Sequence, residues 1–115
     1  MDERLSKALE FSNYMITLNN QRRTLKAKFF ADCVFYQNGG TFTITKELIN
    51  FTKVLIDTGN DSDVVLVDDN DIPVEIANLN EFLDQITSIY FTATNSYYTE
   101  YQKLVKNRSI EGMTA

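Results

Sequence analysis

The chain has no histidine and no tryptophan, and only one cysteine, one proline and four glycines among its 115 residues. Without histidine it lacks the side chain that most often serves as general base, the Ser-His and Cys-His couples, and the commonest metal ligand. The lone Cys33 excludes an intrachain disulfide and a cysteine cage for zinc. So few Pro and Gly leave little room for linkers or low-complexity tails. No stretch approaches the roughly 18 consecutive apolar residues of a membrane span. The opening Met1-Asp2-Glu3-Arg4 lacks the basic-then-apolar layout of a secretory leader. No glycine pattern of a P-loop, a dinucleotide fold or a nucleophile elbow occurs. These absences lead us to expect one domain spanning residues 1–115. We expect it to be cytoplasmic, in a bacterial or phage-infected host cell, and not an enzyme, with no cofactor, no metal site and no membrane contact.

What is present is apolar substance (43%) and an acidic balance of 16 Asp and Glu against 11 Lys and Arg, net −5. The charge is unevenly spread. Residues 1–28 carry six basic and three acidic side chains, residues 29–102 two and twelve, and residues 103–115 three and one. An acidic protein meets phosphate backbones only if its positive groups gather on one face.

Along the chain, residues 3–36 read as one long helix. Ala8, Phe11, Met15, Leu18, Leu25 and Phe29 follow a 3,4 alternation that only Arg22 interrupts, which is a coiled-coil-like seam. We place the helix end at Tyr36, with Asn38 and Gly39 as its cap. The alternative makes Val34-Phe35-Tyr36 a strand turning through Asn38-Gly39-Gly40. Thr41–Thr45 alternates as a short strand with Phe42 and Ile44 on one face. Thr45 then caps a helix over 46–57, whose inner stripe is Leu48, Phe51 and Leu55, widened by Ile49, Val54 and Ile56, and Gly59 ends it. A hairpin over 64–76 follows. With Asp69-Asn70 as a two-residue turn, Val67 faces Ile72 and Val65 faces Val74, so these four share the buried face with Ile76. Asn78, with Glu81 three residues on, caps a second long helix over 79–107. Along it Phe82, Ile86, Ile89, Ala93, Tyr97, Tyr101 and Leu104 or Val105 recur at spacings of three and four. The tail 109–115 is expected to fray. The fold class that results is α+β: helix, strand, helix, strand, strand, helix, with long N- and C-terminal helices packed with a small three-stranded antiparallel sheet and a short helix. Rods this long are most economically covered by each other or by a second copy, so a homodimer is expected. Its seam would use Phe11, Met15, Leu18, Leu25, Tyr90, Tyr97 and Tyr101.

The acidic run around Asp68, Asp69 and Asp71 does not carry the spacing of a calcium loop. Turns select Asp and Asn for backbone reasons of their own. We read this loop as a surface offered to a protein partner. Residues 22–76, with their helix, the strand Thr41–Thr45, the helix Lys46–Asp57 and a hairpin tipped by Asp68-Asp69-Asn70-Asp71, resemble a winged-helix module. That resemblance implies a nucleic-acid-binding regulator, in which Arg22, Arg23, Lys26, Lys28, Lys46 and Lys53 would contact phosphates. The whole chain, through Phe11-Ser12-Asn13-Tyr14, Asn38-Gly39-Gly40 and Tyr97-Tyr98-Thr99-Glu100-Tyr101, also resembles small uncharacterised proteins of tailed marine phages, a likeness that implies no particular activity.

Overall fold

Seven elements follow one another in the computed structural model, which describes the backbone of residues 2–114 and the side chains of residues 2–106. They are α1 (Glu3–Asp32), β1 (Val34–Gln37), β2 (Gly40–Thr43), α2 (Lys46–Asp57), β3 (Ser62–Val67), β4 (Pro73–Asn78) and α3 (Leu79–Thr114). The class is α+β, with three helices and two antiparallel sheets of two strands each among the described residues.

The first departure from the sequence reading is the end of α1, which stops at Asp32 instead of Tyr36. Asn38 at φ 50° and Gly39 at φ 80° form the two-residue turn that matches the twist of a hairpin. Gln37 therefore pairs with Gly40 and Val34 with Thr43. The strand alternative prevails because Val34, Phe35 and Tyr36 suit a pleated surface. It also lets Cys33 sink into the core and Phe35 set its ring edge-on to Phe82, 5.8 Å between centroids.

The second departure is register. Val67 pairs with Pro73, Leu66 with Val74 and Val64 with Ile76, one residue away from the pairing of Val67 with Ile72. A one-residue slip turns a strand over. Leu66, Val74 and Ile76 are accordingly buried, whereas Val65, Val67 and Ile72, expected inside, are exposed. The turn sets this register. It runs over Asp68–Ile72, with the Asp68 N–H donating to the Ile72 carbonyl (2.9 Å) and Asp71 at φ 61°.

In place of one three-stranded sheet the structure has two hairpins, joined side by side without a ladder. The Asp69 N–H donates to the Thr41 carbonyl (2.9 Å), the Thr41 N–H to the Asp68 carboxylate (2.9 Å), and the Asn38 amide to the Glu75 carbonyl (2.8 Å). Gly40 sits at this junction. A Cβ there would stand 2.6 Å from Val74 Cγ2.

α2 is capped by Thr45, whose hydroxyl accepts from the Leu48 N–H at 3.1 Å. Its inner face is centred on Thr52, which is fully buried with its hydroxyl donating to the Leu48 carbonyl at 2.7 Å. That internal bond is what lets a polar side chain sit inside. Phe51 and Val54, assigned to the inner stripe, are exposed instead. α3 starts behind Asn78, whose side-chain oxygen accepts from the Glu81 N–H (3.2 Å). The stretch 109–115, expected to fray, is helical as far as Thr114, and its side chains lie outside the described residues.

The core gathers at one end of the molecule. Cys33, Phe42, Ile44, Leu66, Val74, Ile76, Leu79, Phe82, Ile86 and Ala93 form one cluster. Beyond it α1 and α3 continue as an antiparallel pair. Phe29 stacks on Tyr97 (5.0 Å) and meets Tyr90 edge-on (6.1 Å), while Leu18 and Leu104 are buried farther out. At about 1.5 Å per residue, α1 and α3 are about 45 and 54 Å long. The whole measures 69 × 24 × 19 Å with a radius of gyration of 21.0 Å, against about 13 Å for a compact chain of this length.

Candidate interaction surface on the long helices

α3 carries two stripes. Leu79, Phe82, Ile86, Ala93, Tyr97 and Leu104 recur at helical spacing and face the sheets at one end and α1 at the other. About 100° farther round the helix lies a second series, Phe91, Thr94, Tyr98, Tyr101 and Val105, with strict 3,4 spacing. Its large members are open to solvent: Phe91 61%, Tyr98 66%, Tyr101 36% and Val105 38% exposed. Tyr97 and Tyr101 meet edge to face at 6.4 Å, which joins the two stripes. A shallow hollow of about 240 Å³ lies among Thr94, Tyr97, Tyr98 and Tyr101. One helix covers roughly one such stripe of a neighbour, so α1 leaves the second bare. Its spacing is that of a coiled-coil seam.

The expected seam residues divide between these surfaces. Leu18 is buried, Met15 and Leu25 are half-buried, and Tyr90 and Tyr97 are engaged with Phe29 inside the α1–α3 pair. Tyr101 bridges to the outer stripe, and Phe11 is exposed. Phe91 and Tyr98 are not among the expected seam residues, although their spacing of seven residues, continued by Val105, is a readable signal. Leu5, Leu9 and Ile16 are also exposed, on the side of α1 turned away from α3 by helical spacing. An open groove of about 420 Å³ runs between the two rods where polar side chains line it: Thr17, Asn20, Gln21 and Thr24 face Glu100 and Lys103.

The acidic loop has internal work. Asp68 is buried, and its carboxylate accepts from the N–H groups of Thr41 (2.9 Å), Ile72 (2.8 Å) and Asn70 (2.9 Å). Those bonds from Thr41 and Ile72, then Asn70, stabilise the anion and hold its pKa below the ordinary carboxylate value, against the opposing effect of burial. Asp69 accepts from the Thr43 hydroxyl at 2.6 Å. Asp71 is exposed at the tip. Among the described residues no group of three or more Asp, Glu or Cys is placed to hold a metal ion.

The six basic candidates lie on α1 (Arg22, Arg23, Lys26, Lys28) and on α2 (Lys46, Lys53). Lys28 pairs with Asp32 (3.2 Å) and reaches Ser96, and Lys53 pairs with Asp57 (3.2 Å). Lys26 lies over the Phe30 ring at 6.0 Å. Arg22 is half-buried, with an Nε that has no partner among the described residues. Arg23 is exposed, and Lys46 opens α2. No helix among the described residues is long and apolar enough to cross a membrane. No family model matches the chain, and no curated protein or solved structure matches it either.

Proposed function

We propose that this protein is a non-enzymatic interaction module that self-associates through its long helices and presents the hairpin end, with its acidic turn, to a protein partner. The observation that carries the reading is the bare 3,4 stripe on α3. Single exposed apolar residues are ordinary, but a contiguous run of aromatic and aliphatic side chains at coiled-coil spacing marks a docking surface. The total surface supports it. The chain exposes 8183 Å², whereas a compact monomer of its mass exposes about 6400 Å². The excess, about 1800 Å², follows from the drawn-out 69 Å shape and leaves room for the roughly 800 Å² each partner gives to a standard interface. The hairpin end suits the second role because Asp68 and Asp69 fix the turn rigidly, so that Asp71 is held outward at low conformational cost.

Sedimentation equilibrium at tens of micromolar tests this reading. The expected mass is twice the chain's 13.2 kDa. A mass that stays at one chain across the whole concentration range would overturn the proposal.

A further inference from the structure

Which way a second copy lies on α3 follows from the residues that border the stripe, given the self-association proposed above. In heptad terms Asp84, Phe91, Tyr98 and Val105 occupy one seam position and Thr87, Thr94 and Tyr101 the other. A parallel pairing matches each position with itself. It would set Asp84 against its own copy at one end of the seam. That end would then bring like charges together, which is unfavourable.

An antiparallel pairing behaves otherwise. Antiparallel helices place one seam position against the other, so Thr94 meets Tyr98 of the second copy, Phe91 meets Tyr101, and Thr87 meets Val105. Every layer then pairs a small or flat group with a larger one, as interdigitation requires. The same register brings Asp84 of each copy to the turn that carries Lys106 of the other, and both side chains are exposed in the single chain. The flanking residues Ser88, Asn95 and Gln102 are uncharged, so nothing along the seam opposes the match.

We propose that the outer stripe of α3 binds the same stripe of a second copy in antiparallel orientation, with Phe91 on Tyr101 and Thr87 on Val105. The assembled pair is a four-helix arrangement in which each α1 flanks a central pair of α3 helices. The two hairpin ends, with their Asp71 tips, then lie at opposite extremities of the particle.

Cysteine cross-linking reads the orientation. Cys33 is buried, and burial, helped by Asp32, raises its thiol pKa, so it stays silent beside an exposed reporter. Thr87→Cys and Val105→Cys are prepared separately and mixed under mild oxidation. The antiparallel register puts residue 87 of one copy beside residue 105 of the other. It separates each from its own copy by about 27 Å, far beyond the reach of a disulfide. The mixture is expected to give at least about tenfold more covalent dimer than either variant alone, all of it linked 87 to 105. Efficient self-linkage of each variant alone would show a parallel pair and overturn the orientation while leaving self-association intact. Absence of linkage in a sample that sediments as a dimer would place the interface elsewhere and overturn the stripe itself.

Discussion

Phe82 ties the first hairpin to α3 within the core cluster. Its ring is fully buried and lies edge-on to Phe42 (5.4 Å) and to Phe35 (5.8 Å), joining β1 and β2 to the start of α3. Replacing Phe82 by Ala removes the ring from a site that cannot close, since strands and helix are held apart by their own hydrogen bonds. Such truncations cost about 3–5 kcal/mol. A domain of this kind has roughly 5–15 kcal/mol in total, so the variant should lose a large part of its stability. Its Tm should fall by about 15 °C. Urea unfolding followed by far-ultraviolet circular dichroism at one fixed chain concentration gives the magnitude. A double-mutant cycle with Phe42→Leu and Phe82→Leu isolates the ring contact, for which about 0.5–1.5 kcal/mol of coupling is expected. A loss below about 1 kcal/mol for Phe82→Ala, or no coupling in the cycle, would mean that the hairpins do not dock on α3 as described.

Four further outcomes can be checked on the same instruments. Gly40→Ala forces a Cβ to within 2.6 Å of Val74 Cγ2 and should cost about 1–3 kcal/mol by overpacking. Gly39→Ala meets nothing within 4 Å, so its cost should stay at the roughly 1–2 kcal/mol of a left-handed backbone. Thr45→Ala removes the α2 cap and should lower stability by about 1 kcal/mol, whereas Thr45→Ser should restore most of it. Asp68→Asn keeps the acceptor for Asn70 and Ile72 but turns an amide toward the Thr41 N–H, so it should loosen the junction between the hairpins. Because the folded-state pKa of Asp68 is lowered, its contribution is fully present above the ordinary value of 3.8 and is lost as pH falls through the folded value. The Tm gap between wild type and Asp68→Asn should therefore narrow from pH 6 to pH 2. A gap independent of pH would contradict the role given to the carboxylate.

Where local chemistry decides an element, the residues announce it. Thr45 and Gly59 bracket α2, and Asn78 marks the start of α3, because caps act within a turn or two of the backbone they satisfy. The hairpin register was not legible in that way. Asp69-Asn70 suits a two-residue turn by itself, but the Asp68 carboxylate gathers the N–H groups of Asn70 and Ile72 and, 27 residues away, of Thr41, and these bonds hold the longer turn. The end of α1 was ambiguous for a related reason, since Asn38-Gly39 serves equally as a helix cap and as a hairpin turn. Tertiary demand for Cys33 and Phe35 in the core decides between them. The interaction surface was half legible. Tyr101 and the spacing of α3 pointed to a seam, but a helix with two adjacent seams mixes their periods. Only the position of α1 shows that Tyr90 and Tyr97 are already covered and that Phe91 and Tyr98 are not. Within the acidic loop the sequence does not separate Asp68, whose carboxylate serves the backbone, from Asp71, which stays exposed at the tip.

Everything functional here rests on the bare stripe of α3 being an interface between copies. Multi-angle light scattering of the wild type beside Tyr98→Glu, at matched micromolar concentrations, puts that most directly to the test. The account predicts a two-chain mass for the wild type and a one-chain mass for the variant, with unchanged helical content in both. Two chains in both samples, or one in both, would contradict it.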